Sequence, residues 1–117
     1  MRTIRPSSYA RRVAAFAIAL LAATQSARAE EVVIHLVLKD HRFQPQESSA
    51  PAGQRITIEL TNQDPTPAEL ESKTLRFEKV VAGGGKITMQ VRPLVPGRYR
   101  FYDDYHEDTT EGFLVVR

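Results

Sequence analysis

Residues 103 to 111 read Asp103-Asp104-Tyr105-His106-Glu107-Asp108-Thr109-Thr110-Glu111, five carboxylates around one imidazole in a chain without cysteine. Oxygen donors and one imidazole make a hard-to-borderline ligand set. Such a set suits Fe(II), Fe(III), Mn(II), Cu(II) or Zn(II) and disfavours Cu(I), which prefers sulfur. Asp103 and His106 are three apart across a tight loop, close enough for both to reach one ion. Glu69 and Glu71 project from an earlier loop at the same end. If Leu70 faces the core, both glutamates face outward together, because alternate strand residues share a side. Glu78 can arrive from the neighbouring segment, and His41, in Asp40-His41-Arg42-Phe43, can contact the same end. Clustered anions repel one another and raise each other's pKa values, so a bound cation would relieve them. His106 would ligate as neutral imidazole, so affinity should fall as the pH drops.

Each of these residues has a plainer reading. Asp104, Glu107 and Asp108 fit a solvated turn, and His41 fits a surface histidine. Glu78 with Lys79 fits an exposed ion pair, worth about 0–1 kcal/mol. Tyr99, Tyr102 and Tyr105 fit half-buried sheet aromatics, His35 an ordinary strand residue and Met89 a core residue. No nucleophile–base pairing, phosphate loop or zinc-type Cys/His spacing is present.

The elements that would position these groups are short and β-rich. Residues 32–38 form a first strand. Residues 55–62 alternate apolar and polar, with Ile56, Ile58 and Leu60 on the apolar face. A polar loop over 63–68 leads to an irregular stretch, 70–81, with Leu75, Phe77 and Val80 as core contacts. Gly83-Gly84-Gly85 makes a turn that tolerates positive φ. Residues 86–91 alternate again, 93–97 turn, and two last strands flank the acidic loop. Strands at this spacing, separated by turn signals and without helical periodicity, predict an all-β antiparallel sandwich.

The first 29 residues differ in kind. Arg2, Arg5, Arg11 and Arg12 open a basic segment, 13–23 is apolar, and Ala27-Arg28-Ala29 supplies small residues at a cut. This is the layout of a secretory signal peptide. Its apolar run is about half the ~20 residues that span a bilayer, so no stable membrane insertion is expected after cleavage. Residues 30–117 then form one domain with 11 basic and 14 acidic residues, a net charge of −3. That balance offers no basic face for a nucleic acid. With no disulfide available, stability must come from the sheet core, helped by any bound metal.

Three strings carry a family resemblance. Pro96-Gly97-Arg98-Tyr99-Arg100-Phe101 is similar to the Pro-Gly-x-Tyr-x-Phe turn and strand that enters the metal loop of cupredoxins. Asn62-Gln63-Asp64, followed by the loop to Glu69, resembles the strand end that carries their first ligand. Pro51-Ala52-Gly53 before an alternating strand is also common in such domains. The resemblance implies a Greek-key, cupredoxin-like sandwich. It places the copper-binding Cys position at Asp103, the His at His106, the Met at or near Glu111 and the earlier His at or near Glu69. Only one of those four ligands is kept, and a type 1 copper site needs a thiolate, so that site is excluded.

Pro67-Ala68-Glu69-Leu70-Glu71-Ser72, Leu75-Arg76-Phe77-Glu78-Lys79-Val80 and Phe101-Tyr102-Asp103-Asp104-Tyr105-His106 narrow the match. They resemble the cysteine-free cupredoxin-like domains of bacterial periplasmic iron-uptake systems. That kinship implies a periplasmic protein handling an iron or copper ion beside a membrane iron permease or a companion periplasmic iron-binding protein. Two alternatives remain open: a copper-dependent ferrous-iron oxidation component, and a metal-free sandwich used for protein contacts.

Overall fold

The computed structural model describes residues 2–4 and 31–117. The signal-peptide assignment to residues 1–29 falls almost wholly outside the described residues. Among the described residues, nine strands and one short 3-10 turn follow in chain order. They are β1 (Val32–Lys39), β2 (Arg42–Gln44), β3 (Glu47–Ala50), β4 (Ile56–Asn62), β5 (Ala68–Ser72), β6 (Phe77–Val81), β7 (Lys86–Val91), β8 (Gly97–Asp103), the turn Asp104–His106, and β9 (Glu111–Val116). Among the described residues no helix is long and apolar enough to cross a membrane.

Two sheets build the sandwich. One has the order β2-β1-β4-β7, the other β3-β9-β8-β5-β6. The expected sandwich is therefore formed, but the sheets are mixed. β1 runs parallel to β4 and β3 parallel to β9, while the other pairings are antiparallel. The parallel pairs arise because the chain changes sheets between β2 and β3 and again between β3 and β4, so strands distant in sequence become neighbours.

Alternation sets the core. Ile56, Ile58 and Leu60 of β4 are buried, as expected, and meet Leu36, Leu38 and Met89. Each such side chain contributes about 1.5–3 kcal/mol of burial. Phe101 of β8 packs edge-on against Phe43, ring centroids 5.0 Å apart. Residues 70–81, expected to be irregular, form the β5–β6 hairpin together with Ala68 and Glu69, with Glu71 opposite Glu78 and Ala68 opposite Val81. Val81 is the buried residue at its end, and Val80, expected in the core, is exposed. Strand parity decides this, since neighbours on β6 point to opposite faces.

Candidate metal centre

At one end of the sandwich the β1–β2 turn meets the loop joining β8 to β9. Asp103 closes β8 facing inward, opposite Leu70 of β5, and is 1% exposed. A buried carboxylate without partners would be costly; this one is well supplied. Its Oδ1 accepts the N–H groups of Glu69 (3.0 Å) and Tyr105 (3.1 Å). The second of these bonds caps the 3-10 turn. Its Oδ2 lies 3.1 Å from His106 Nδ1.

The loop is closed by backbone bonds from Asp103 N–H to the Thr110 carbonyl (3.0 Å) and from Thr110 N–H to the His106 carbonyl (2.9 Å). Buried Thr110 then donates its hydroxyl to the His41 carbonyl at 2.7 Å, which ties the two chain segments together. The rings of His41 and His106 come to 4.4 Å between centroids, tilted by 42°. One ligand atom from each of His41, Asp103 and His106 lies within 4.8 Å of the other two. Adjacent donors each roughly 2.1 Å from an ion stand about 3.0–3.4 Å apart. The Asp103–His106 separation already matches that spacing. Nitrogen and carboxylate oxygen without sulfur fit Cu(II), Zn(II) or Fe(II), and do not fit a type 1 copper centre.

The glutamates expected to converge on this pair are not brought to it. Because Leu70 and Asp103 face inward, Glu69 and Glu71 occupy the opposite face of the same sheet. There Glu69, Glu71 and Asp104 gather, again with ligand atoms within 4.8 Å of one another. Glu78 joins them: a hydrogen bond between its carboxyl and that of Glu69, partial desolvation and the charges of Glu78, Asp104 and Glu71 push the Glu69 pKa up to about 7. Partial desolvation and then the Asp104 carboxylate raise Glu71 as well. Desolvation and the Glu69 charge raise the Tyr105 phenol. Glu78 therefore faces Glu69, not a Lys79 partner. Glu111 pairs with Arg100 at 2.6 Å, on the outer face opposite Tyr102. That pairing leaves Glu111 in an ion pair away from the His106 ring.

Two groups escaped the sequence reading. Asp104 joins the outer carboxylates instead of facing solvent alone, because the 3-10 turn folds it back over β5. Asp64 accepts backbone N–H groups from Asp40 and His41, 24 and 23 residues away. No local pattern announces a bond that long in sequence.

Comparison with known proteins follows the same lines. A model described as "Cupredoxin-like domain" matches residues 12–116. An uncharacterized protein of Rickettsia prowazekii (strain Madrid E) is 36% identical over 83 residues, 71% of this chain and 66% of the relative. The chain thus spans just under two thirds of that relative's length. Among solved structures, auracyanin A, a "blue" copper protein of Chloroflexus aurantiacus, superposes with TM-score 0.65 at 16% identity, over 75% of this chain and 100% of its own. The metal-binding domain of a Cu(I)-exporting P-type ATPase of Streptococcus pneumoniae superposes with TM-score 0.65 at 14% identity, over 77% and 98%. At such identities the likeness is one of fold.

Proposed function

The chain belongs to the cupredoxin-like domain family, and we propose that it binds one transition-metal ion through His41, Asp103 and His106 without a type 1 copper site. The observation that carries this reading is the convergence of two imidazoles and a buried carboxylate with donor atoms within 4.8 Å. Copper-binding neighbours of the same fold support copper as one occupant. A donor set without sulfur and the resemblance of the 67–72, 75–80 and 101–106 strings support iron as the physiological cargo. On this reading the protein works in the periplasm and passes iron, with or without copper, to a membrane iron permease or a companion iron-binding protein.

The chain's own residues do three things at the site. Asp103 holds the loop through the two backbone N–H groups on its Oδ1, which leaves Oδ2, beside His106 Nδ1, to the ion. Thr110 fixes the distance between the two histidine-bearing segments. The outer carboxylates add negative potential at the same end, which concentrates cations near it. A bound divalent ion would supply a positive charge that offsets the buried Asp103 carboxylate.

The test is titration of the metal-free protein with Cu(II), Fe(II), Mn(II) and Zn(II), followed by calorimetry and thermal shift. A ligand at 100 times its dissociation constant adds roughly 2.7 kcal/mol of stability. The reading expects such a shift with Cu(II) or Fe(II), lost in His106→Ala. No shift with any of the four ions would leave the metal-free interaction module in its place. Iron uptake by cells lacking the chain tests the transport role separately.

A further inference from the structure

A second buried carboxylate stands beside His41 much as Asp103 stands beside His106. Asp64 follows β4 and is 7% exposed. Its Oδ1 accepts the Asp40 N–H at 2.6 Å and its Oδ2 the His41 N–H at 3.0 Å. The same Oδ2 lies 3.9 Å from His41 Nδ1. Asp40 and His41 both have left-handed backbones, φ 50° and 58°, a region that non-glycine residues rarely enter. Successive N–H groups in a tight turn form a concavity that holds an anion, and here the Asp64 carboxylate fills it.

Asp64 is itself clamped. Its N–H donates to Asn62 Oδ1 at 3.0 Å, and Asn62 Nδ2 donates to the carbonyls of Thr66 (2.8 Å) and Ala82 (3.2 Å). Its carbonyl accepts the Gly84 N–H at 3.0 Å. Gly83 passes so close that a Cβ there would lie 2.1 Å from the Pro65 carbonyl oxygen, so the glycine turn is needed to close the clamp. Asn62 is 0% exposed. Buried polar groups in a connected, fully satisfied network rigidify what they hold, and what this one holds is the His41 turn.

We propose that Asp64 is a positioning residue for metal binding: by accepting the Asp40 and His41 N–H groups it fixes the His41 turn, and with it the place of the imidazole offered to the ion shared with Asp103 and His106. This rests on the metal-binding reading above. Groups that orient a metal ligand without binding the ion are worth about 10–100-fold in metal affinity. Asp103 anchors the His106 segment through the Glu69 and Tyr105 N–H groups, Asp64 anchors the His41 segment through the Asp40 and His41 N–H groups, and Thr110 joins the two at the His41 carbonyl.

Two measurements on the full chain test this. Amide hydrogen exchange of the metal-free protein should show the Asp40 and His41 N–H groups protected, and Asp64→Asn, with one acceptor oxygen in place of two, should lower the protection of at least one of them. Competition titration with Cu(II) should show Asp64→Asn binding about 10–100-fold more weakly, with no further loss when it is added to His41→Ala. Wild-type Asp40 and His41 N–H groups that exchange as fast as in an unfolded chain overturn the proposal, and that observation needs no variant to fold. So does an Asp64→Asn penalty that is equally large in the His41→Ala background, since Asp64 would then act on the fold and not through His41. Wild-type protein that takes up no Cu(II) overturns the metal reading, while the exchange comparison still decides how Asp64 acts on the His41 turn.

Discussion

The two faces of the β5–β8 strand pair carry similar residue types and behave in opposite ways. On the inner face, Asp103 is buried, its carboxylate has three partners, and its neighbours are the imidazoles of His106 and His41. On the outer face, Glu69, Glu71, Glu78 and Asp104 have mainly one another, and the pKa values of Glu69 and Glu71 rise accordingly. A carboxylate given donors holds a structure in place; carboxylates given only each other take up a proton or a cation instead. Acidic residues close in sequence to a metal loop need not belong to the same site.

The contrast can be broken most directly at Asp103. Asp103→Ala should lower stability by about 3 kcal/mol, because it leaves buried N–H groups unpaired, and should abolish Cu(II) binding. Glu71→Ala on the other face should be neutral or slightly stabilising. Denaturant melts of the two variants that gave equal losses would erase the distinction. Next in size, His106→Ala should weaken Cu(II) by on the order of 100-fold, more than the loss of an orienting partner, with little change in the melt. Competition titration reads this directly.

The third effect is one of pH. A carboxyl raised in the folded state binds more protons there than in the unfolded chain. Its contribution to stability is therefore complete below the ordinary range near 4.5 and is lost as the pH rises to about 7. Thermal midpoints of the metal-free protein should fall across that interval. Glu69→Gln or Glu78→Gln should flatten the slope, and an unchanged slope would mean that the outer carboxyls do not share a proton. The smallest expected effect is at Glu111, half-exposed and paired with Arg100. Glu111→Ala should cost about 0–1 kcal/mol and leave the Cu(II) affinity untouched in the same titrations.

Much of this was legible in local pattern. Alternation at Ile56, Ile58 and Leu60 placed β4, and the inward parity of Leu70 placed Glu69 and Glu71 on one outer face. Parity is a two-residue property and survives without tertiary information. The Asp103–His106 pair was legible too, since a three-residue spacing across a tight loop keeps two side chains together. What failed was reach: Glu69, Glu71 and Glu78 were expected beside that pair from their loop order, and Glu111 from the resemblance. Loop order locates the end of the sandwich, but not the face.

By itself, then, the sequence determined a cysteine-free β-sandwich with oxygen and imidazole donors at one end, because composition and alternation are properties of the chain read in order. Tertiary structure decided which donors meet. His41 reaches His106 through Thr110, 69 residues along the chain from it, and Asp64 grips the His41 turn across 23 residues. Such contacts exist only once two sheets have stacked, because only then do residues distant in sequence share one dehydrated pocket where each buried polar atom must find a partner.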